Sequence, residues 1–218
     1  MGVRDFRELI KNIVYPKDYR CVFCKWPLEK EYLCAICRDR LVEVNGEKHI
    51  KIENETLKIN YIFLYSGYAV ELIQKLKYKG DFRVGEIFAE YICNFIRSNN
   101  LDYIDYITYI PMHKKDERKR RYNQCRVISK YVSENCSIEM IDTLIKKMRT
   151  KDQIGLSKNQ RFRNLQDVFK VKNDINIKDK SILVVDDVCT TGSTLYYCKK
   201  ELQGLGVKEI ILLTVCAR

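Results

Sequence analysis

The stretch that decides the fold is SILVVDDVCTTGST, which occupies residues 181–194. After Ser181 come four consecutive apolar residues, two of them valine, and such a run is typical of a buried parallel strand over residues 181–186. Asp186 and Asp187 follow at the carboxyl end of this strand, the edge where open α/β sheets bind their ligands. A helix is expected from about Ser193 to Leu202. The stretch therefore predicts a strand–loop–helix unit with two carboxylates at its ligand-binding edge.

The loop of this unit is chemically suited to a phosphate. Backbone N–H groups at a helix N-terminus, together with hydroxyl side chains, form a cradle for an anion, and Gly192 lets the backbone approach that anion closely. The two neighbouring carboxylates would repel a second anion but can accept hydrogen bonds from the hydroxyls of a ribose. An ordinary N-cap at Ser193 or Thr194 is the alternative, but it explains one hydroxyl and not the whole string. The candidate phosphate-binding residues are Thr190, Thr191, Gly192, Ser193 and Thr194.

A second motif consists of two C-x-x-C pairs near the N-terminus. Each pair can form a tight turn that brings two sulfurs to one ion, and the segment between the pairs returns the chain for the second turn. Four sulfur ligands close the coordination shell of zinc, so we expect a structural site. A redox dithiol is the alternative, but it needs only one pair. The predicted metal ligands are Cys21, Cys24, Cys34 and Cys37.

The remaining cysteines are scattered through segments that resemble helices and strands. We expect them to be small, reduced core residues and not metal ligands. They are Cys93, Cys125, Cys136, Cys189, Cys198 and Cys216.

A basic segment follows the strand predicted near residues 104–110. Between Lys114 and Arg126, seven basic residues stand against two acidic ones. If this strand neighbours the one at 181–186, the basic segment lies near the phosphate loop and could hold pyrophosphate or DNA. Taken alone, such a charge run is better explained by a solvated face. The candidate residues are Lys114, Lys115, Arg118 and Arg121.

A second basic segment spans residues 146–165 and contains a glycine, which suits a mobile lid. If the phosphate loop binds a ribose that also carries pyrophosphate, transfer at the anomeric carbon would develop positive charge on the sugar and negative charge on the departing pyrophosphate. A basic lid would stabilise that leaving group and exclude water. Arg149 and Lys151 are therefore candidate catalytic residues, together with Asp186 and Asp187.

The order of motifs along the chain resembles that of the ComF family. From residue 19 to residue 218 it runs double C-x-x-C, L-x-Y-K-G-D, P-x-H…R-x-N-Q, R-T-x-x-Q-x-x-L-S…R-x-x-N and D-D-V-x-T-T-G-x-T. The last block resembles the signature with which type I phosphoribosyltransferases bind phosphoribosyl pyrophosphate (PRPP). Residues 146–194 are also similar to the transferase half of amidophosphoribosyltransferase. One departure is that residues 112–121 contain no glycine, whereas pyrophosphate loops of active transferases usually do.

The resemblance implies a fold and a site. The fold is α/β, a type I phosphoribosyltransferase fold with a mostly parallel sheet flanked by helices, and a small N-terminal zinc ribbon precedes it. By resemblance, Asp186 and Asp187 hold the ribose hydroxyls, residues 190–194 hold the 5′-phosphate, and Mg²⁺ accompanies PRPP.

The predicted organisation has three parts. They are an N-terminal helix over 1–18, a zinc-ribbon module with a hairpin over 19–65, and a phosphoribosyltransferase-type domain over 66–218. Strands near 138–141, 167–171 and 208–216 complete the predicted sheet.

Composition bears on partners and location. The formal net charge is +11, from 40 basic and 29 acidic residues, and such a surplus favours phosphate-bearing partners. No stretch is long and apolar enough to cross a bilayer, and the first ten residues do not resemble a signal peptide. We therefore expect a cytoplasmic protein without membrane insertion.

Three functions stay open at this point. The ComF resemblance implies a role in natural competence, in which the protein handles incoming single-stranded DNA beside a helicase and recombination mediators. Tyr122, within the basic run, could then stack on a base. The second function is an active phosphoribosyltransferase that moves ribose-5-phosphate onto a base or amine that the sequence does not identify. The third is a sensor that binds PRPP or a nucleotide without chemistry and changes its affinity for DNA through that ligand.

Overall fold

The structure is a computed structural model that describes residues 18–53, 55–148, 167–172 and 176–218. It divides the chain into two compact units, residues 1–40 and 41–218. The predicted helix over residues 1–18 lies outside the described residues except for its last residue, Asp18.

The first unit is held together around its cysteines. Among its described residues, 18–40, it contains one short helix, α1 (Ala35–Asp39), which begins directly after Cys34. Val22 and Leu33 are fully buried, and the rings of Tyr19 and Tyr32 stack with their centroids 5.6 Å apart. The described residues of this unit form only a small apolar core, and a core of this size is typical of a unit stabilised by a metal.

The second unit alternates helices and strands. In chain order its elements are β1 (Gly46–Ile52), β2 (Glu55–Leu64), α2 (Gly67–Tyr78), α3 (Arg83–Ser98), β3 (Tyr106–Tyr109), α4 (Lys114–Arg120), α5 (Gln124–Cys136), β4 (Glu139–Met140), β5 (Leu144–Lys146), β6 (Phe169–Val171), β7 (Ser181–Cys189), α6 (Ser193–Gln203) and β8 (Glu209–Ala217).

Six strands form one sheet in the order β1-β2-β8-β7-β3-β4. Only the β1–β2 pair is antiparallel, and the other four pairs are parallel. The strands β5 and β6 form a separate antiparallel pair. The predicted α/β fold with a mostly parallel sheet is confirmed.

The centre of the sheet is built from β7 because its sequence is apolar on both faces. The side chains of residues 182–185 are fully buried, as a parallel strand covered on both sides requires. On one side the helix α3 presents an apolar stripe that includes Val84, Phe88 and Phe95. Position 85 of this helix is a glycine, whose missing Cβ would lie 2.8 Å from Cγ1 of Val127 on α5.

The predicted hairpin is present as β1 and β2, and it belongs to the main sheet. β2 pairs in parallel with β8, so the hairpin is an edge of the sheet in the second unit. The predicted boundary between residues 65 and 66 therefore differs from the observed division after Arg40. The physical reason is that β2 carries buried apolar residues, such as Leu57 and Ile59, which pack into the core of that sheet.

Two of the cysteines expected to be reduced are joined to each other. Cys93 on α3 and Cys136 at the end of α5 form a disulfide between two packed helices. Cys125, Cys189, Cys198 and Cys216 are free and buried, as predicted. In the described part of the chain, no helix has both the length and the apolar character needed to span a membrane.

Candidate functional site

The two acidic residues lie at the carboxyl end of β7 and are almost fully buried. Asp186 is 8% exposed and Asp187 is 5% exposed. The backbone N–H of Asp187 donates to Oδ1 of Asp186 at 2.9 Å, and Sγ of Cys125 lies 3.6 Å from the same oxygen. One oxygen of Asp186 is thus held by its own strand and by the first turn of α5.

Asp187 is held by two donors from different helices. Nζ of Lys77, in the last turn of α2, lies 2.8 Å from Oδ2 of Asp187. Nε2 of Gln124, the first residue of α5, donates to the same oxygen at 2.6 Å. Arg120, the last residue of α4, in turn donates to Oε1 of Gln124. A continuous chain of polar contacts therefore joins the basic helix α4 to the acidic pair.

Burial controls the ionisation of this cluster. Desolvation, and after it the charge of Asp187, raises the pKa of Asp186 to about 7, although the ammonium of Lys77 opposes this shift. Burial alone would lower the pKa of Lys77, but the charge and hydrogen bond of Asp187 outweigh it and raise that pKa. Asp186 is therefore poised to exchange a proton near neutral pH.

The loop after β7 has the geometry of an anion cradle. Gly192 caps α6 in the left-handed conformation, with φ of 73°, and its carbonyl accepts the first helical hydrogen bond from Tyr196 at 2.9 Å. The hydroxyls of Thr191 and Ser193 lie 2.9 Å apart. Of the five predicted phosphate-binding residues, Gly192 and Ser193 are buried and the three threonines are half-buried. The loop thus combines an open helix N-terminus with hydroxyl groups on one short segment.

The hairpin β1–β2 packs on this loop. A Cβ at position 192 would lie 2.7 Å from Cδ1 of Ile50 and 3.2 Å from Cδ1 of Ile59, so the hairpin leaves room only for glycine. Nζ of Lys48 donates to the carbonyl of Thr190 at 3.1 Å and to the carbonyl of Arg218. The hairpin therefore packs on the loop and places the ammonium of Lys48 beside it.

The predicted basic segment is a helix, α4, at the same edge of the sheet. β3 pairs in parallel with β7, with Tyr109 opposite Val185, so the segments that follow the two strands are neighbours. Acidic residues occupy the first turn of α4 and basic residues its last turn, as the helix dipole favours. The four candidate side chains Lys114, Lys115, Arg118 and Arg121 are all exposed.

Tyr122 has a structural role that the sequence did not indicate. Its hydroxyl donates to the carbonyl of Leu76, and its ring meets that of Phe82 edge-on with the centroids 4.9 Å apart. Tyr122 thereby ties the start of α5 to the end of α2. The hydroxyl and the ring of Tyr122 thus both have partners within the protein, and stacking of this residue on a base stays a prediction.

An open cavity of 380 Å³ lies beyond the carboxyl end of β3, and Tyr109, Asn123 and Asp142 contribute to its lining. Lys114, Arg126 and Lys146 contribute positive charge to its lining. Burial lowers the pKa of Lys146, although the charges of Asp116, Cys198 and Asp186 oppose this. Lys146 ends β5, immediately before the predicted lid. Arg149 and Lys151 of that lid lie outside the described residues.

The four predicted metal ligands converge in the first unit. All four sulfur atoms lie within 4.8 Å of one another, so Cys21, Cys24, Cys34 and Cys37 could hold one metal ion. Burial opposes ionisation of Cys21, but the N–H groups of Cys34, Cys24 and Phe23 outweigh it and lower the pKa of its thiol to about 6. Thiolate is the form that binds a metal, so the donor set fits a soft or borderline divalent cation.

Three residues of the site could not be predicted, because their positions in the sequence do not indicate that they contact the acidic pair or the phosphate loop. Lys77 and Gln124 stand inside the motifs L-x-Y-K-G-D and R-x-N-Q, which carry the family resemblance but revealed no contact. Lys48 carried a weak signal, since it shares the inward face of β1 with Ile50 and Ile52. A lysine at an inward position of an alternating strand is a candidate for a buried polar contact.

Comparisons with known proteins agree with this geometry. Residues 123–218 match the family described as the phosphoribosyl transferase domain. Competence protein F of Haemophilus influenzae is 28% identical over 88% of this chain and 94% of its own length. Competence protein ComFC of Streptococcus pneumoniae is 28% identical over 68% of this chain and 63% of its own.

Among solved structures, a purine phosphoribosyltransferase from Pyrococcus horikoshii is 15% identical over 72% of this chain and 86% of its own, with a TM-score of 0.41. The chain is similar to competence protein F and to ComFC, and its residues 123–218 match the phosphoribosyl transferase domain.

Proposed function

We propose that this protein binds PRPP at the end of β7 and acts in natural competence, where it handles single-stranded DNA during uptake. The observation that carries the proposal is the placement of a buried acidic pair directly before a glycine-capped helix N-terminus. The cradle of residues 190–194 would hold the 5′-phosphate. Asp186 and Asp187 would accept hydrogen bonds from the ribose hydroxyls.

The acidic pair has acceptor capacity for a sugar. Lys77 and Gln124 both contact Oδ2 of Asp187, and the N–H of Asp187 contacts Oδ1 of Asp186. A ribose diol would meet the remaining oxygens of the two carboxylates. The ammonium of Lys77 lies 2.8 Å from Oδ2 of Asp187, and hydrogen bonds to charged groups are the stronger ones.

Two metal ions belong to the proposal. The four cysteines would hold structural zinc, since four thiolates leave no open coordination position. Mg²⁺ would arrive with PRPP, where its hard oxygen preference suits the pyrophosphate and the carboxylates of Asp186 and Asp187.

The competence role is supported by the curated relatives and by charge. Both relatives are named competence proteins, and the net charge of +11 suits a polyanion. The exposed cations of α4 lie at the same sheet edge as the acidic pair, so a nucleic-acid strand and PRPP would meet there. We place the protein in the cytoplasm, with a competence helicase and a recombination mediator as candidate partners.

The direct test is calorimetric titration of Mg-PRPP into zinc-loaded protein. We expect saturable binding to the wild-type protein and a loss of at least about tenfold in affinity for Asp186→Asn, because an amide offers one acceptor where the carboxylate offers two. Asp186→Asn is preferred to Asp187→Asn, since the latter would leave Lys77 buried without its counter-charge.

Asp102→Asn is the matched control. Asp102 is an exposed carboxylate that precedes β3, at the opposite edge of the sheet. We expect it to bind Mg-PRPP as the wild type does. Failure of the folded wild-type protein to bind Mg-PRPP, or equal binding by Asp186→Asn, would contradict the proposed site.

Transfer of ribose-5-phosphate is a second candidate function, and the 380 Å³ cavity favours it. In this reaction the bond from the anomeric carbon to pyrophosphate breaks, pyrophosphate leaves with the electron pair, and the acceptor forms the new bond and releases a proton. Lys114 and Lys146 line the cavity and could stabilise the leaving group. Pyrophosphate release that requires both PRPP and a base or amine would establish transfer, and its absence would leave binding as the role of the site.

A further inference from the structure

Two large aromatic side chains are exposed where α2 gives way to α3. Tyr78, the last residue of α2, is 75% exposed, and Phe82 is 43% exposed. They flank the segment Lys79–Asp81, the end of a motif to which the proposed function gives no role beyond Lys77. Exposed aromatic residues that lie close together are typical of a binding surface.

The surroundings of these rings are cationic and ordered. The guanidinium of Arg120 lies 5.6 Å from the centroid of the Tyr78 ring, and the same side chain donates to Gln124. Phe82 packs edge-on against Tyr122, whose hydroxyl is fixed on Leu76. The two exposed rings are therefore held by neighbours that are themselves anchored.

The same contacts join this surface to the acidic pair. Lys77 precedes Tyr78 and contacts Asp187, while Arg120 reaches Asp187 through Gln124. The aromatic surface is thus connected to the proposed ribose site by two routes, each one or two side chains long.

The charge near the rings favours a polyanion over a protein surface of mixed charge. Lys79, Lys119 and Arg121 are exposed close to Tyr78 or Arg120 in sequence, and the nearby carboxylate of Asp81 already pairs with Arg83. Aromatic faces beside cations are the combination that binds single-stranded nucleic acid, since bases stack on the rings and phosphates meet the cations.

We infer that Tyr78, with Phe82 and Arg120, forms a platform on which a base of single-stranded DNA stacks beside the ribose site. The cations of α4 hold the flanking phosphates. This inference rests on the proposed DNA-handling function and assigns to Tyr78 the stacking role expected from sequence at Tyr122.

The test compares a DNA strand with bases and a strand without them. Fluorescence anisotropy would measure binding of oligothymidylate and of an abasic strand of equal length to wild type and Tyr78→Ala. We expect Tyr78→Ala to bind oligothymidylate roughly 5- to 100-fold more weakly, the range for losing one stacked base. Affinity for the abasic strand and the dependence of log affinity on log salt should not change, since no phosphate contact is removed.

Two further variants separate stacking from structure. Tyr78→Phe keeps the ring and should bind as the wild type does. Tyr103→Ala removes a tyrosine of 52% exposure that precedes β3 at the opposite sheet edge, and it should have no effect. Thermal unfolding would verify that each variant is folded.

The contrary results are distinct from one another. Unchanged binding of oligothymidylate by Tyr78→Ala, or an equal loss for both strands, would overturn the platform. If the wild type binds neither strand, the platform and the DNA-handling part of the function fail together. The PRPP site is judged separately by calorimetry and can stand or fall on its own.

Discussion

The segments that follow β7 and β3 begin at the same edge of the sheet but differ in residue type and in burial. After β7, residues 190–194 are small, uncharged and at least half-buried. After β3, residues 112–121 contain the short helix α4 (Lys114–Arg120), and the basic side chains of this segment are mostly exposed. Each segment contains one residue in the left-handed conformation, Gly192 with φ of 73° and Arg121 with φ of 72°.

The same backbone requirement is thus met by opposite residue types. At position 192 the hairpin closes over the backbone, so a Cβ has no room. At position 121 the side chain is exposed, and a positively charged arginine adopts the left-handed conformation despite its steric cost. The first segment suits one enclosed phosphate, and the second suits several phosphates in contact with solvent.

Replacing Gly192 by alanine should disrupt the loop of residues 190–194 and give the largest loss of stability. The left-handed conformation costs alanine about 1–2 kcal/mol. The collision of its Cβ with Ile50 adds about 1–3 kcal/mol of overpacking. We therefore expect Gly192→Ala to lower the free energy of unfolding by about 2–5 kcal/mol in urea denaturation. Affinity for Mg-PRPP should fall as well, since the phosphate loop must shift.

Gly204→Ala is the control at the other end of the same helix. Gly204 has φ of −59°, and the nearest atom to its added Cβ is a backbone oxygen at 3.4 Å. We expect its free energy of unfolding to change by less than about 0.5 kcal/mol. If Gly192→Ala were no more destabilising than Gly204→Ala, the hairpin would not constrain the loop as described.

The contrast between the two segments also explains what sequence could predict. The strand–loop–helix unit after β7 was predictable because its signals are local: an apolar run, two acids, hydroxyl groups and a glycine in consecutive positions. The helix α4 was seen only as a charge run, because a short helix without buried residues has no apolar periodicity.

Contacts between distant segments escaped prediction for a different reason. Lys77 and Asp187 are separated by more than a hundred residues, and only the arrangement of α2 over the sheet edge brings them together. The division after Arg40 was missed because the alternating pattern of the hairpin is the same in a small module as at the edge of a large sheet. The disulfide between Cys93 and Cys136 depends on how α3 packs on α5, which spacing alone does not give.

The stability of the protein and its affinity for PRPP should both depend on pH through the carboxyl of Asp186. The pKa of its carboxyl is about 7, against an ordinary value of 3.8, so the folded protein holds a proton that the unfolded chain loses between these values. As pH rises through this window, ionisation of Asp186 therefore costs stability in the absence of ligand. A ribose diol binds the ionised form, so raising the pH from about 6 to about 8 should increase PRPP affinity about tenfold through this group.

The measurement is calorimetric titration of Mg-PRPP at several pH values into wild type and Asp186→Asn. Protonation of the ligand affects both proteins alike, so the difference between their profiles isolates Asp186. A difference that does not change with pH would show that Asp186 is not the titrating group. In urea denaturation without ligand, Asp186→Asn should gain stability relative to wild type as the pH rises, which gives an independent readout of the same pKa.

The smallest change in stability is expected for a substitution at Arg121, in the segment that follows β3. Glycine adopts φ of 72° without the steric cost of about 1–2 kcal/mol that arginine bears, but it loses about 0.5–1 kcal/mol through the greater freedom of the unfolded chain. We expect Arg121→Gly to raise the free energy of unfolding by about 0.5–1 kcal/mol and, if Arg121 meets a phosphate, to lower the salt slope of single-stranded DNA binding by about 0.7. Arg118→Ala, on the helical part of α4, removes an equal charge without relieving strain, so it should weaken DNA binding with no gain in stability. If Arg121→Gly alone gains stability while it loses DNA affinity, the arginine at this position serves DNA binding through its charge at a cost in stability. A loss of stability in Arg121→Gly would contradict this, because the left-handed turn would then depend on the arginine side chain itself.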